Sequence, residues 1–219
     1  MNELNQPNRV SRWFIALIPP QEMQVYANQI KQMFADQYGS CKAFTSPPHV
    51  TLHPPFTIAS REITEIAHQL TIFAADRPAV PVTLSGFGAF SPRVIYINVL
   101  PTAALLAMQA ELLVYCCSTL GILDPLAKAG SQIPASQSSS RQDRPFVPHL
   151  TVAFRDLTVQ QFHRAWPEFA NRSIELDGQP IDRYEFLADQ LTLLRHDGQR
   201  WVIHQQFPFG SAIGAIPHV

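Results

Sequence analysis

An α+β fold with largely antiparallel sheets, arranged as two similar lobes, is predicted by three observations. Apolar runs of strand character mix with stretches of helical spacing, without the regular strand-helix-strand rhythm of a parallel sheet. Two pairs of β-rich runs are separated by short turn signals, Ser91-Pro92 and His196-Asp197-Gly198-Gln199, so the members of each pair are antiparallel neighbours. Finally, Pro48-His49-Val50-Thr51-Leu52 recurs as Pro148-His149-Leu150-Thr151-Val152, offset by 100 residues, each copy on a strand that a helix follows. Residues 1–219 are therefore read as one bilobal domain, with the twin motifs facing each other.

The elements follow in order. Trp13 to Ile18 is a continuous apolar run ended by Pro19-Pro20, which suits a central strand. Gln21 to Tyr38 then carries Met23, Tyr26, Ile30, Met33 and Phe34 at helical spacing. The stretch PPHVTLHPPF reads as a short strand punctuated by prolines. Strict alternation would set His49, Thr51 and His53 on one face and Val50 and Leu52 on the other. Ser60 is the expected N-cap of a helix to Ala75, with Glu62 and Glu65 in its early turns. VPVTLSGFGAF and RVIYINV form an antiparallel pair, and Thr102 starts a helix to about Leu120. Residues 124–144, rich in Ser, Gln, Ala and Pro without a hydrophobic period, are read as a mobile surface insertion. A strand over 147–154, a helix over 159–167, a short strand near 174–176 and the pair YEFLADQLTLLR and QRWVIHQQFPF complete the chain.

Composition narrows the function. With 16 basic against 17 acidic residues the formal charge is −1, which lacks the global footprint needed to coat long nucleic acid. A nucleic-acid substrate would be short or held by one end. No apolar run approaches the roughly 18 residues of a membrane span, so a soluble, cytoplasmic protein is expected. Three cysteines make neither a disulfide framework nor a zinc spacing, and are expected in the core. His49 and His53, four positions apart on a strand, stand about 13 Å apart, too far to ligate one ion easily. No metal or cofactor is expected.

The repeat carries the chemistry. Two imidazoles with ordinary pKa near 6.5 can supply a general base and a general acid together, one neutral and one protonated near neutral pH. Each threonine lies two residues on and on the same face, so its hydroxyl can bind an oxygen of the group on which the histidine acts. In-line displacement at a phosphodiester needs such a base and acid on opposite sides of phosphorus, with no metal required.

The paired His-apolar-Thr-apolar tetrads resemble the 2H phosphoesterase superfamily, and in particular its RNA 2',3'-cyclic phosphodiesterase branch, also called the 2'-5' RNA ligase family. FIALIPP, PPHVTLHPPF, LSGFGAFSPRVIYINV, RPFVPHLTVAF and WVIHQQFPFG resemble that family's landmarks in order. The resemblance implies a bilobal fold with pseudo-two-fold symmetry, a central cleft between antiparallel sheets, and metal-independent opening of a 2',3'-cyclic phosphate to a 2'-phosphate. It makes His49 and His149 the acid-base pair, with His49 at the leaving oxygen and His149 at the water, and Thr51 and Thr151 the phosphate-binding hydroxyls. The implied substrate is a small cyclic nucleotide or an RNA 3' end, and a monomer is expected. Alternatives are ADP-ribose cyclic phosphate, a 2'-5' linked oligonucleotide (hydrolysed or ligated), or RNA-end binding without turnover.

Two positions depart from the family pattern. Relatives often carry a lysine or arginine directly after the first tetrad, where this chain has His53. A basic residue also tends to follow the second tetrad closely, whereas Phe154 here precedes Arg155. On a regular strand Arg155 shares parity with His149 and Thr151, but about 20 Å away. His53 and Arg155 are thus second-tier candidates, Arg155 being read more readily as a structural or rim charge. Phe44, Phe56, Phe90 and Phe146 are expected in the core, with stacking on a base as the alternative. His68, His163, His196, His204 and His218 have no partner spacing and are read as surface or local structure.

Overall fold

The structure is a computed structural model that describes residues 10–122 and 145–210. The predicted insertion over 124–144 and His218 lie outside the described residues. Ten strands and four helices are described: β1 (Val10–Leu17), α1 (Gln21–Tyr38), β2 (Val50–Ala59), α2 (Ile63–Ala75), β3 (Val80–Phe90), β4 (Val94–Val99), α3 (Ala103–Ser118), β5 (His149–Ala153), α4 (Val159–Phe169), β6 (Ile174–Leu176), β7 (Gln179–Ile181), β8 (Tyr184–Ala188), β9 (Gln190–His196) and β10 (Trp201–Pro208). They form two four-stranded antiparallel sheets, in the orders β10-β9-β1-β2 and β5-β4-β3-β8, beside the small β6-β7 hairpin. The predicted α+β class holds.

The apolar run of β1 is buried on both faces. Trp13, Ile15 and Leu17 enter the main core, whereas Phe14 and Ala16 join Leu194 in a small separate cluster covered by Trp201. Helix α1 follows its predicted bounds and buries Met23, Tyr26, Ile30 and Phe34. It stops at Gly39, whose φ of 64° is one that a glycine adopts without steric cost. It packs against β5 of the other sheet, while α3 packs against β2 and β3, so the helices lock the two sheets together. Thr102 caps α3 as predicted, its hydroxyl accepting the Leu105 N–H.

Several boundaries differ from expectation. Ser60 is the first residue of a 3-10 turn, not the cap of α2, and the Glu62 carboxylate accepts the Ala59 N–H at the start of that turn. YEFLADQLTLLR is broken at Asp189, giving β8 to one sheet and β9 to the other. Periodicity cannot see this, because a strand that changes sheets keeps its apolar content. β2 does not stop at Pro54-Pro55. It continues to Ala59, and it can do so because it is the edge strand of its sheet, where the missing proline N–H groups break no inner ladder. Of the cysteines, Cys116 is buried in α3 as expected, but Cys41 and Cys117 are exposed.

Candidate active site

The twin motifs occupy matched places. β2 pairs with β1 at the edge of one sheet, and β5 pairs with β4 at the edge of the other. Each motif strand carries a bulge at the same point. Between Ala16↔Thr51 and Ile15↔His53, two residues of β2 advance against one of β1. Between Tyr96↔Thr151 and Ile95↔Ala153, β5 does the same against β4. A bulge of this kind turns the strand and inverts face parity beyond it.

His49, Thr51, His149 and Thr151 all line one cleft of about 510 Å³, within the range of a small-ligand site. Both imidazoles are held identically from behind. His49 Nδ1 lies 2.7 Å from the Pro47 carbonyl and His149 Nδ1 lies 2.8 Å from that of Val147, in each case two residues upstream. A carbonyl only accepts, so each Nδ1 carries the hydrogen and each neutral ring leaves the Nε2 lone pair for other partners. Aromatic rings flank both: Phe14 stands 4.8 Å from His49, while Phe90 and Tyr96 stand 4.9 and 5.2 Å from His149.

Electrostatically the two histidines are unequal. Burial, the charge of Lys31 and the neighbouring His149 pull the pKa of His49 down to about 4, against the opposing bond to Pro47. His149 is lowered by burial alone, against its bond to Val147. Burial thus favours the neutral form of both rings in the free protein.

Lys31 is a residue that the sequence reading missed. It sits on the buried face of α1, 1% exposed, where helical spacing anticipates an apolar side chain. Its Nζ donates to the Ser46 carbonyl at 2.9 Å and lies 6.0 Å from the Phe44 ring centre. Desolvation lowers its pKa to about 8. Ser46 itself lines the cleft, so a buried ammonium stands directly behind the wall that carries His49.

The second-tier candidates separate. His53 is not brought to the cleft: it is fully buried, its Nδ1 lies 2.8 Å from the Pro54 carbonyl, and its ring meets Phe56 edge-on. The bulge explains this, since it shifts His53 onto the core side with Leu52, where simple alternation put it beside His49 and Thr51. Arg155 does line the cleft, although not by strand parity, because β5 ends at Ala153. The backbone turns tightly, with the Asp156 N–H bonded to the Phe154 carbonyl at 2.8 Å around an Arg155 φ of 62°. That left-handed conformation costs a non-glycine residue about 1–2 kcal/mol. Asp156 offsets it by gripping the opposite segment: its carboxylate accepts from Ser40 Oγ at 2.8 Å, Cys41 N at 2.8 Å and Lys42 N at 2.9 Å. Bonds to a charged acceptor are worth about 1.5–3 kcal/mol each where shielded from water. The same grip sets Lys42 and Arg155 on one stretch of the cleft lining.

Of the aromatics weighed in the sequence, Phe90 reaches the cleft, Phe56 and Phe146 pack with the core, and Phe44 is 41% exposed beside Lys31. Phe14, Phe154 and Trp201 line the cleft unanticipated, as does His196, which in the sequence reads as surface or local structure. Among the described lining residues are three permanent cations, Arg12, Lys42 and Arg155, and no carboxylate. In a chain of net charge −1 this is a local excess of positive charge in a concave site, which favours an anionic ligand. Among the described residues no group of three or more His, Cys, Asp or Glu is placed to hold a metal ion, and no helix is long and apolar enough to cross a membrane.

Comparison with known proteins agrees with this architecture. The family model described as the 2'-5' RNA ligase superfamily matches residues 19–200. A Geobacillus kaustophilus protein named "Putative phosphoesterase" is 23% identical over 202 residues, covering 91% of this chain and 97% of its own. The crystal structure of TT0787 of Thermus thermophilus is similar with a TM-score of 0.57 at 18% identity, covering 91% of this chain and 98% of that one. That of E. coli LigT complexed with 3'-AMP is similar with a TM-score of 0.56 at 15% identity, covering 92% and 99%. At these identities the two structures establish the shared fold.

Proposed function

This chain belongs to the 2'-5' RNA ligase superfamily, and on that basis we propose that it is a phosphodiesterase that opens 2',3'-cyclic phosphates of RNA ends or nucleotides to 2'-phosphates, using His49 and His149 without a metal. The observation that carries the reading is the matched pair of imidazoles in one cationic cleft, each with Nδ1 bonded to the carbonyl two residues upstream.

The reaction needs one proton removed and one supplied. Water attacks phosphorus as one histidine takes its proton at Nε2. The bond from phosphorus to the 3' oxygen breaks, and the other histidine gives that oxygen a proton from its own Nε2, leaving a 3'-hydroxyl and a 2'-phosphate. The bound phosphate supplies what the free protein lacks, because its negative charge favours the imidazolium form of a neighbouring ring. The two rings should not respond equally. Lys31 opposes a positive charge on His49, whereas burial is what lowers His149. On this asymmetry we assign the water's proton to His49 and the leaving oxygen to His149, where the resemblance implies the opposite order. Thr51 and Thr151 donate hydroxyls to the nonbridging oxygens, and Lys42 and Arg155 offset the charge that accumulates there.

The test is incubation in excess chelator with a panel of 2',3'-cyclic mononucleotides, ADP-ribose cyclic phosphate and a 2'-5' linked dinucleotide, following products by phosphorus NMR. Conversion of the cyclic nucleotides to 2'-phosphates is expected. Formation of 3'-phosphates would overturn the regiochemistry, and binding without any product would replace the enzyme with an RNA-end binding module.

A further inference from the structure

The cleft does not end at the histidines. From His49 an unbroken row of contacts runs along one sheet: its ring stands 4.8 Å from Phe14, Phe14 stands 4.7 Å from Trp201, and the Arg12 guanidinium lies 5.4 Å from the Trp201 ring centre. The row follows from register. Arg12, Phe14 and Ala16 alternate along β1 and share a face, with Ala16 opposite Thr51. Arg12 is thus four residues from the threonine row, about 13 Å along the strand. Trp201 begins β10, pairs with His196 across the hairpin, and is braced edge-on by both Phe14 and His196.

Arg12 is exposed and has no carboxylate partner among the described residues, and its planar group is steadied on the braced indole rather than neutralised. The nearest acidic side chain on the hairpin, Asp197, is otherwise engaged: it accepts the N–H groups of Gln199 and Arg200 and stands 3.8 Å from Arg200 Nε. It does not line the cleft, whereas Gln199 does. On the other sheet the guanidinium in the lining, Arg155, lies 5.3 Å from the ring centre of its own chain neighbour Phe154, in the turn just past the second tetrad and not at the end of an aromatic row. There the row from His149 stops at Phe90 and Tyr96, and the residue on β4 that corresponds to Phe14 is Val94. The cleft therefore has a direction, and its far end on the β1 side is cationic.

We propose that Arg12, seated on Trp201, is a second anion subsite that binds a phosphate one nucleoside away from the phosphate between the histidines, so that the preferred substrate is a cyclic phosphate carrying a further phosphate. This rests on the proposed activity for the identity of the first phosphate. Guanidinium favours phosphate over a neutral group by charge and by paired N–H donors, and the separation along β1 exceeds what a single phosphate spans. The shared chemistry is a phosphomonoester or phosphodiester on the 5' side of the reacting nucleoside, supplied either by a 5'-phosphorylated nucleotide or by the next linkage of an RNA chain.

Two measurements test it, one independent of turnover. Calorimetry with adenosine 2'-monophosphate and adenosine 2',5'-bisphosphate is expected to show about tenfold tighter binding of the bisphosphate to the wild-type protein, as a charge-assisted contact of about 1.4 kcal/mol gives. Arg12→Ala should bring that ratio close to one, and Arg12→Lys should retain part of it. In turnover, the ratio of kcat/KM for a cyclic phosphate with and without a 5'-phosphate should fall in Arg12→Ala, and a dinucleotide ending in the same cyclic phosphate shows whether an internal linkage serves as well. Discrimination lost in Arg12→Ala for either donor supports the subsite. Discrimination absent from the wild type, or unchanged in Arg12→Ala, overturns it while leaving the hydrolytic activity standing. Absent turnover with intact bisphosphate selectivity would instead overturn the activity and leave the subsite.

Discussion

Two residues past Thr51 on the β2 wall stands His53; two residues past Thr151 on the β5 wall stands Ala153. Both are fully buried, both follow a bulge, and both pair with the residue before the threonine's partner on the neighbouring strand. Upstream the match is as close, with each histidine bonded through Nδ1 to the carbonyl two residues earlier. Away from this shared kernel the walls diverge. β2 runs on through two prolines to Ala59, whereas β5 ends and turns Arg155 into the cleft. Behind the β2 wall lies Lys31, and from its neighbour β1 extend Phe14 and Arg12. The lesson is a division of labour. In the proposed mechanism, what proton transfer needs is duplicated, and what distinguishes acid from base or one end of a substrate from the other is not.

The largest effect comes from disabling the duplicated part. His49→Ala and His149→Ala should each lower kcat by about 10² to 10⁴. Because the proposed mechanism uses both rings in one displacement, the double variant should fall little below the worse single one. Steady-state hydrolysis of a 2',3'-cyclic nucleotide in chelator measures this. A double variant showing the product of both losses would mean that the walls act independently.

The duplicated part was also what the sequence made legible. A five-residue pattern repeated at an offset of 100 residues needs no tertiary information to be noticed, and it located the four residues that line the centre of the cleft. The bounds of α1 and the cap at Thr102 were legible for a similar reason, since helical spacing and capping are local. The unduplicated features were not. The position of His53 depends on a bulge, which shifts face parity without any mark in residue type. Arg155 reaches the cleft through a left-handed turn sustained by hydrogen bonds to residues more than a hundred positions away. Trp201 and His196 belong to a strand pair whose sheet membership turns on the break at Asp189. Lys31 drew no attention in the sequence, and its significance comes from its burial on the core face of α1.

An intermediate effect is expected from removing that asymmetry. In the wild type, kcat/KM should rise as His49 loses its proton near pH 4 and fall as His149 loses its own below the ordinary 6.5, placing the optimum on the acid side of neutrality. Lys31→Met keeps the bulk and removes the charge. With one of the causes that disfavour its imidazolium gone, His49 should titrate at higher pH, and the acid limb of kcat/KM should move up with it. Proton NMR of the imidazole resonances reads the shift directly. A His49 midpoint that stays put, or a His149 midpoint that moves more, would show that Lys31 does not distinguish the two walls.

The smallest effect on chemistry is expected where the walls differ most visibly in sequence. His53 stands directly after the first tetrad, yet it is buried on the core side, so His53→Ala, which copies the residue of the opposite wall, should leave KM and the pH profile as they are. Its effect should appear in stability instead. A fully buried ring and its bond to the Pro54 carbonyl are lost, and the urea midpoint should fall by the equivalent of about 1–3 kcal/mol. His53→Lys separates the two locations further, because it gives opposite answers for them. On a cleft face the new ammonium would tighten phosphate binding, whereas under the bulge its charge must be taken out of water and should destabilise the fold more than alanine does. Tighter phosphate binding by His53→Lys at unchanged stability would place residue 53 in the cleft, and would mean that the β2 bulge does not hold in solution.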